Sequence, residues 1–349
     1  MGKSLQLPKL YAQDIDKLTI DVTLSENPLG CSPAVSEALS RLSPSDLVQY
    51  PDLSPLRSAL AAQYAVSPDV VVIGTGTEQL IKLIAQTFLC RGKRAFVQNG
   101  SFVVFTKECK LAGAFVRGVD PSDIRRIPTN ADLIILCTPN NPTGEIIPLD
   151  QIMKILTRVP SCPVIIDEAN ADFTDETMMP SVQTDERIII LRTFSKAFGL
   201  AGLRCGFAVG STRFMKQVAL AQQAFPISGV AVRLALAAMR DRDFVEKTRR
   251  FMRIERTFLR NELMKRNCIV SASVTNTLFV QVPQQKDIVQ RLVQEGVSVV
   301  DGSFFPCITQ QGFRIALRDK RTNRAFLRAF DSALSCKTNK ILLRSKELL

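Results

Sequence analysis

The chain contains no histidine among its 349 residues. That removes imidazole as a general acid or base, as the partner of a nucleophilic serine or cysteine, and as the commonest metal ligand. Nine cysteines are present, none in C-x-x-C spacing, so with no histidine beside them a zinc site is not expected. Scattered thiols of this kind read as reduced side chains of a cytoplasmic protein. No apolar run reaches the roughly 18 residues a membrane span needs. The first residues, MGKSLQLPKLYAQ, have no apolar core of a secretory signal. They begin Met-Gly, but Gln6 stands where a myristoylation signal wants Ser or Thr. If this is an enzyme, a residue other than histidine, or a cofactor, must carry its protons.

What is present is ordinary for a globular protein: 46% hydrophobic and 22% charged residues. At 349 residues the chain is long for one core, so two domains, or one with an appendage, are expected. The net charge of +12 raises the question of nucleic acid. The basic run KTRRFMRIERTFLRNELMKR, Lys247 to Arg266, has apolar residues at Phe251, Ile254, Phe258, Leu259 and Leu263, a helical spacing. It reads as an amphipathic helix with a solvated basic face rather than a nucleic-acid site, since the aromatic interleaving of a single-strand binder is missing. An anionic small substrate accounts for the charge better.

Strand-like runs recur at VVVIG (70–74), RAFVQ (94–98), AFVRGV (114–119), LIILCTP (133–139), PVIIDEA (163–169), RIIILRTF (187–194) and CGFAVG (205–210). Several are apolar on both parities, the pattern of strands covered on both faces. Helical lengths separate most of them, which predicts a mainly parallel α/β sheet of seven strands with helices on both faces. After about Asp243 the character changes: a long helix, then TLFVQVP, a helix near DIVQRLVQEG, VSVVDG and FRIALR. This reads as a smaller α+β domain. The expected division is an N-terminal arm over 1–44, a large domain over 45–242 and a small domain over 243–349. The basic tail CKTNKILLRSKELL reads as a fraying helix end.

Chemistry gathers at the strand ends. After VVVIG comes Gly-Thr-Gly-Thr and an apolar-faced helix, so Gly76 sits in a turn at a helix N-terminus, a place suited to phosphate or simply to a tight turn. CTPNNPTG brings Asn140 and Asn141 to the carboxyl edge of the sheet, where ligands of α/β folds bind. VIIDEAN ends a Val/Ile strand on Asp167, an expensive place for an idle carboxylate. LRTFSKAFGLAGLRCG then places Lys196 after an isoleucine-rich strand. A phosphate turn, an amide pair, a carboxylate and a lysine, met in that order at strand ends, is the set pyridoxal 5'-phosphate requires.

On SKAFGLAGLRCG and TPNNPTG, and along almost the whole length from SENPLG to FRIALR, the chain resembles the fold-type I aminotransferases, the histidinol-phosphate aminotransferase group most closely. The resemblance implies that Lys196 is the Schiff-base lysine and proton carrier, that Asp167 pairs with the pyridinium nitrogen and that Asn141 bonds the phenolate oxygen. It implies that Gly76, Thr77, Ser195 and Arg204 hold the phosphate with Thr193 nearby, that Gly199 and Gly202 let the backbone pass close, and that Phe102 stacks on the ring. Tyr50, in QYPD, would reach the phosphate of the neighbouring subunit of a homodimer. Asn27 and Arg314 would contact substrate, Arg314 gripping its carboxylate or a comparable anion. The reaction implied is histidinol phosphate with 2-oxoglutarate, giving imidazole-acetol phosphate and glutamate. Two positions depart from the family. Asn170 stands where a Tyr is common, and Val300 where an Arg usually precedes the Asp; Arg318 is the candidate to compensate. NPLG and the ALR of IALRDKR resemble threonine-phosphate decarboxylases instead, which implies the alternative of decarboxylating a phosphorylated hydroxy-amino acid. Neither nucleic acid, membrane nor metal enters either reading.

Overall fold

A computed structural model describes residues 20–283, 285–305, 308 and 312–335. The arm before Ile20 and the basic tail from Cys336 lie outside them. Seven strands form the main sheet: β2 (Val71–Gly74), β3 (Arg94–Gln98), β4 (Phe115–Val119), β5 (Leu133–Cys137), β6 (Val164–Asp167), β7 (Ile188–Thr193) and β8 (Gly206–Gly210). Their order across the sheet is β2-β8-β7-β6-β5-β3-β4. Every pairing is parallel except the two made by β8, which runs against β2 and β7. The cause is local: from Thr193 to Gly206 the chain makes only a short turn of 3-10 helix at Ala201–Leu203, with no helical crossover to bring it back parallel. Every residue of β5, β6 and β7 is buried, as their both-parity apolar runs require. Edge strand β4 is mostly exposed, the opposite of its apolar spelling, and no described strand pairs beyond it, whereas the other edge strand, β2, is wholly buried.

The second apolar core is built mostly after residue 250, with Val22, Phe173 and Ala197 added from earlier in the chain. A four-stranded antiparallel sheet has the order β12 (Val300–Asp301), β13 (Gly312–Ala316), β10 (Thr277–Gln281) and β9 (Ile269–Val270). The helices Arg242–Lys265 and Lys320–Ser335 bury Leu259, Leu263, Phe326 and Phe330 in that core. Strand β1 (Ile20–Asp21) pairs in parallel with β11 (Val297–Ser298), and Val22 joins the same core. So residues 20–22 pack on the second core, although Cys31, shortly after them, packs against the first.

The long basic helix is real and starts five residues before the basic run, at Arg242, with Asp241 capping Phe244 N at 3.2 Å. Its buried stripe is Phe244, Thr248, Met252, Glu255, Leu259 and Leu263. Ile254, expected on that stripe, is exposed. The stripe takes in buried Glu255 instead, whose carboxylate accepts Asn323 Nδ2 at 2.9 Å. A hydrophobicity pattern passes over such a position because it counts the carboxylate as polar. No helix among the described residues is long and apolar enough to cross a membrane.

Candidate active site

The ends of the parallel strands lie in one row. Cys137 of β5 stands opposite Asp167 of β6, and Asp167 opposite Leu191 of β7. Thr193 pairs with Gly206, which pairs on its other side with Gly74. The loops leaving this row line a cavity of about 560 Å³. Lys196, Asp167, Asn141, Asn170, Phe102, Thr77, Thr193, Ser195, Arg204 and Arg314 all reach its wall. Residues up to 237 positions apart in sequence thus meet because five connections leave the same sheet edge and β13 closes the other side.

One group of these residues is built for an anion. The helix Gly76–Phe88 begins without a side-chain cap, because Thr75 at its N-cap turns its hydroxyl to Pro226 O at 2.5 Å. The first-turn amides and the positive end of the helix are left for a ligand. Gly76 has φ +74°, and a Cβ there would lie 2.8 Å from Arg204 Nη2. Arg204 Nη1 donates to Ser195 Oγ at 3.4 Å, and Thr193 Oγ1 donates to the same oxygen at 2.9 Å. Gly206 has the same kind of constraint: its Cβ would meet Arg192 O at 2.9 Å and Gly76 Cα at 3.1 Å. Two hydroxyls, one guanidinium and an open helix start therefore share one corner.

The second group holds charge in a dry place. Asp167 is 3% exposed, and its Oδ1 accepts Ala169 N at 2.8 Å. Burial pushes its carboxyl up to about 6, against the opposing Ala169 hydrogen bond and the Lys196 charge; the neighbouring Glu168 charge adds to the rise. Among the described residues it has no ion pair, so the site offers a buried acid with no resident cation. Lys196 is pulled down to about 8, first by burial and then by the charges of Arg314 and Arg204, with Glu26 and Asp167 pulling the other way. Its Nζ donates to Ser25 Oγ at 2.5 Å. Arg314, 2% exposed on β13, donates from Nη1 to Asn141 Oδ1 at 2.8 Å and from Nη2 to Thr23 O at 2.5 Å.

Three expected side chains stand off this wall. Asn27 is buried but does not line the cavity: its Nδ2 donates to Ala197 O and Thr248 Oγ1, both at 3.0 Å, so its amide braces the lysine loop. Arg318 is also off the wall, because Glu26 Oε2 at 3.2 Å and Leu24 O at 3.3 Å hold its Nη1 behind them. Tyr50 is 80% exposed, outside the cavity, and stacks on Phe225 with ring centroids 4.4 Å apart. Gly202 lines the cavity, yet a Cβ there would meet nothing within 4 Å, so of the two glycines after the lysine only Gly199 is needed for close approach. At Gly199, φ is +72° and a Cβ would run into the carbonyl oxygen of Gly30. Val300 stands opposite Arg314 in the β12–β13 register and is buried with Val103, Phe279 and Phe305. The position that departs from the family is thus filled by an apolar plug beside the buried arginine.

Ser25, Glu26, Thr277 and Cys137 also line the cavity and were not foreseen. Cys137 closes an apolar strand and Ser25 and Glu26 precede Asn27 in SENPLG, so position next to named residues was the only signal they carried.

Residues 17–330 match the model of the aminotransferase class I and II family. The histidinol-phosphate aminotransferase of Ruminiclostridium cellulolyticum is 31% identical over 327 residues, covering 88% of this chain and 90% of that protein. A crystal structure of histidinol-phosphate aminotransferase from Sinorhizobium meliloti in complex with pyridoxal 5'-phosphate superposes with a TM-score of 0.81 at 20% identity, over 96% of this chain and 95% of that one. L-threonine-O-3-phosphate decarboxylase from Porphyromonas gingivalis also gives a TM-score of 0.81, at 22% identity, over 91% of this chain and 100% of that one. At these identities the two structures speak for the fold alone, and the two chemistries share it. The family match across most of the chain and the 31% relative carry the assignment further: the chain is an enzyme belonging to the class I and II aminotransferases.

Proposed function

We propose that this enzyme is a pyridoxal 5'-phosphate-dependent aminotransferase that takes the amino group of histidinol phosphate and passes it to 2-oxoglutarate. The observation that carries the reading is one cavity in which a half-buried lysine, a buried acid without a cation and an anion corner meet. The residues fit the cofactor on the structure's own terms. The uncapped start of the helix Gly76–Phe88, with Ser195 and Arg204, suits a phosphate dianion. Asp167, raised to about 6 with no ion-pair partner among the described residues, suits a cationic ring nitrogen, which would hold it in the ionised form. When bound, the cofactor supplies an aldehyde carbon that amines attack and a cationic ring that draws electrons away from the substrate's Cα.

The chain's own residues then divide the work. Lys196, held near 8, is poised to lose and regain a proton close to neutral pH, which fits the role of moving a proton at Cα in a protein without histidine. Asp167 keeps the ring nitrogen protonated. Asn141, oriented by Arg314, keeps its amide for the phenolate oxygen. Arg314 also presents the fork suited to a carboxylate, which the amino-group acceptor brings. With Arg318 engaged by Glu26, the phosphate of the amino donor falls to Arg314, which takes the acceptor's carboxylate in the other half of the reaction. We read residues 45–242 as the cofactor domain, 243–349 as the smaller domain and 1–44 as an arm, in a homodimeric cytoplasmic enzyme whose partner subunit contributes its Tyr50.

The test is direct. Enzyme loaded with cofactor should form glutamate from histidinol phosphate and 2-oxoglutarate, and borohydride should fix the cofactor to Lys196 with loss of the visible absorbance. Lys196→Ala should lose essentially all turnover and all fixation. Carbon dioxide release from O-phospho-L-threonine without glutamate formation would assign the decarboxylase instead. Turnover by Lys196→Ala at the parent's rate would overturn the reading altogether.

A further inference from the structure

Lys196 Nζ has one side-chain hydrogen-bond partner among the described residues, the Ser25 hydroxyl at 2.5 Å, with Ser25 O at 3.4 Å. Ser25 is held from several directions. Its carbonyl accepts Asn276 Nδ2 at 3.0 Å, while Thr23 O on one side accepts Arg314 Nη2 and Asn27 on the other reaches Ala197 O, next to the lysine. Gly30 O lies against Gly199 where the two loops cross. Residues 23–30 thus form a strap over the lysine loop, tied to both cores, and Ser25 within it is 8% exposed. A hydroxyl fixed this way is placed for the amine and not for solvent.

We propose that Ser25 is a positioning residue for Lys196, its hydroxyl holding the amine in place whenever it is not attached to a cofactor and setting how readily it gives up its proton. An ammonium here is poorly solvated and faces two like charges, Arg314 from β13 and Arg204 from the turn after the lysine. Glu26 of the strap and Asp167 of β6 offset them, and Glu78 lines the same cavity from its helix. None of these makes a hydrogen bond to Nζ, so the acceptor that favours the charged form is Ser25 Oγ. Removing it leaves the ammonium with burial and repulsion and no side-chain acceptor. The amine should then titrate lower and stand ready to attack a carbonyl at lower pH, but without a fixed direction.

The full chain, freed of bound cofactor, is the object to test, and the readout is the amine rather than turnover. Acetylation of Lys196 by acetic anhydride, followed against pH by peptide mass spectrometry, yields its titration midpoint. Ser25→Ala should lower the midpoint by about one unit and raise labelling about tenfold well below it, in line with one lost hydrogen bond to a charged group. Ser25→Thr, which keeps the hydroxyl, should restore the midpoint. If Ser25 only packed the strap, Ser25→Ala would change labelling by the same factor at every pH with the midpoint unmoved, and that result overturns the proposal. Should Ser25→Ala not fold, Ser25→Cys, close in size and a poorer acceptor, carries the same expectation. The inference uses the assignment of Lys196 as the reactive amine, but an enzyme that ignored histidinol phosphate could still pass this test, and an active transaminase could still fail it.

Discussion

Asp167 is where residue-scale physics makes a measurable statement about stability. Its carboxyl is raised from its ordinary 3.8 to about 6, mainly by burial. A raised acid binds its proton more tightly in the folded state than in the unfolded one. Between pH 4 and 6 the folded chain therefore carries the extra proton, and stability falls as pH rises through that window. Above it the cofactor-free protein bears a cost of about 3 kcal/mol, at about 1.36 kcal/mol for each pKa unit. Asp167→Asn removes that cost. Urea denaturation of the cofactor-free proteins should show the variant and parent alike near pH 4, the variant pulling ahead up to pH 6, and a constant gap beyond. Glu168 and Asp172, also raised by burial, remain in both proteins, and their own titration is common to both apart from the charge repulsion Glu168 shares with Asp167. The same variant should lose at least about 10²-fold in turnover of the loaded enzyme, for want of the charge that keeps the ring nitrogen protonated. A gap independent of pH would mean that Asp167 is not the titrating group. This residue was legible in the sequence because an acid ending a Val/Ile strand is conspicuous. Ser25, Asn27 and Arg318 were not, since what their polar atoms meet is decided by segments some 170 to 290 residues away.

At the scale of elements, the main-sheet strands were legible nearly to the residue, because apolar runs on both parities admit few other structures. RAFVQ is β3 without adjustment, and the other six differ by a residue or two. The reversed direction of β8 was not legible: a loop of a dozen residues fits either a crossover or a return. Nor was the crossing of the SENPLG segment over the lysine loop, which rests on two glycines that look alike in sequence. Gly30 has φ +74° with open space where a Cβ would go, whereas Gly199 has φ +72° with the Gly30 carbonyl in that space. Gly30→Ala should cost only the left-handed backbone strain, about 1–2 kcal/mol. Gly199→Ala bears the same strain and must also push the strap off the lysine loop. It should cost about 3 kcal/mol or more and release cofactor faster, while Gly30→Ala retains it. Urea midpoints and the decay of cofactor absorbance after dilution measure the two effects. Equal costs at both positions would mean that the crossing is not a tight contact.

At the scale of the whole molecule, the described surface is least like that of a monomer around the short helix Ser45–Val48. Leu47, Val48 and Tyr50 are each more than three-quarters exposed, and Tyr50 and Phe225 extend the patch as a stacked pair. An ion pair of Asp46 with Arg233 anchors the segment, so its exposure is built in rather than a frayed end. Such a patch is unusual for a protein that works alone. It adjoins a crevice lined by Thr75, Arg204 and Phe225, and Arg204 is also a wall of the candidate cofactor cavity. A second copy seated there would bury the apolar residues and bring its Tyr50 hydroxyl towards the anion corner, which is open in a single chain. The protein should therefore sediment as a dimer at micromolar concentration. Leu47→Asp combined with Val48→Asp should sediment as a monomer and hold cofactor poorly, since both corners lose a donor. Tyr50→Phe keeps the apolar contact and should remain dimeric, yet it removes a hydrogen bond to a charged group worth about 1.5–3 kcal/mol, about 10- to 100-fold in cofactor Kd. A dimeric Tyr50→Phe with the parent's Kd would confine the patch to assembly, and a monomeric parent protein would remove the shared site entirely.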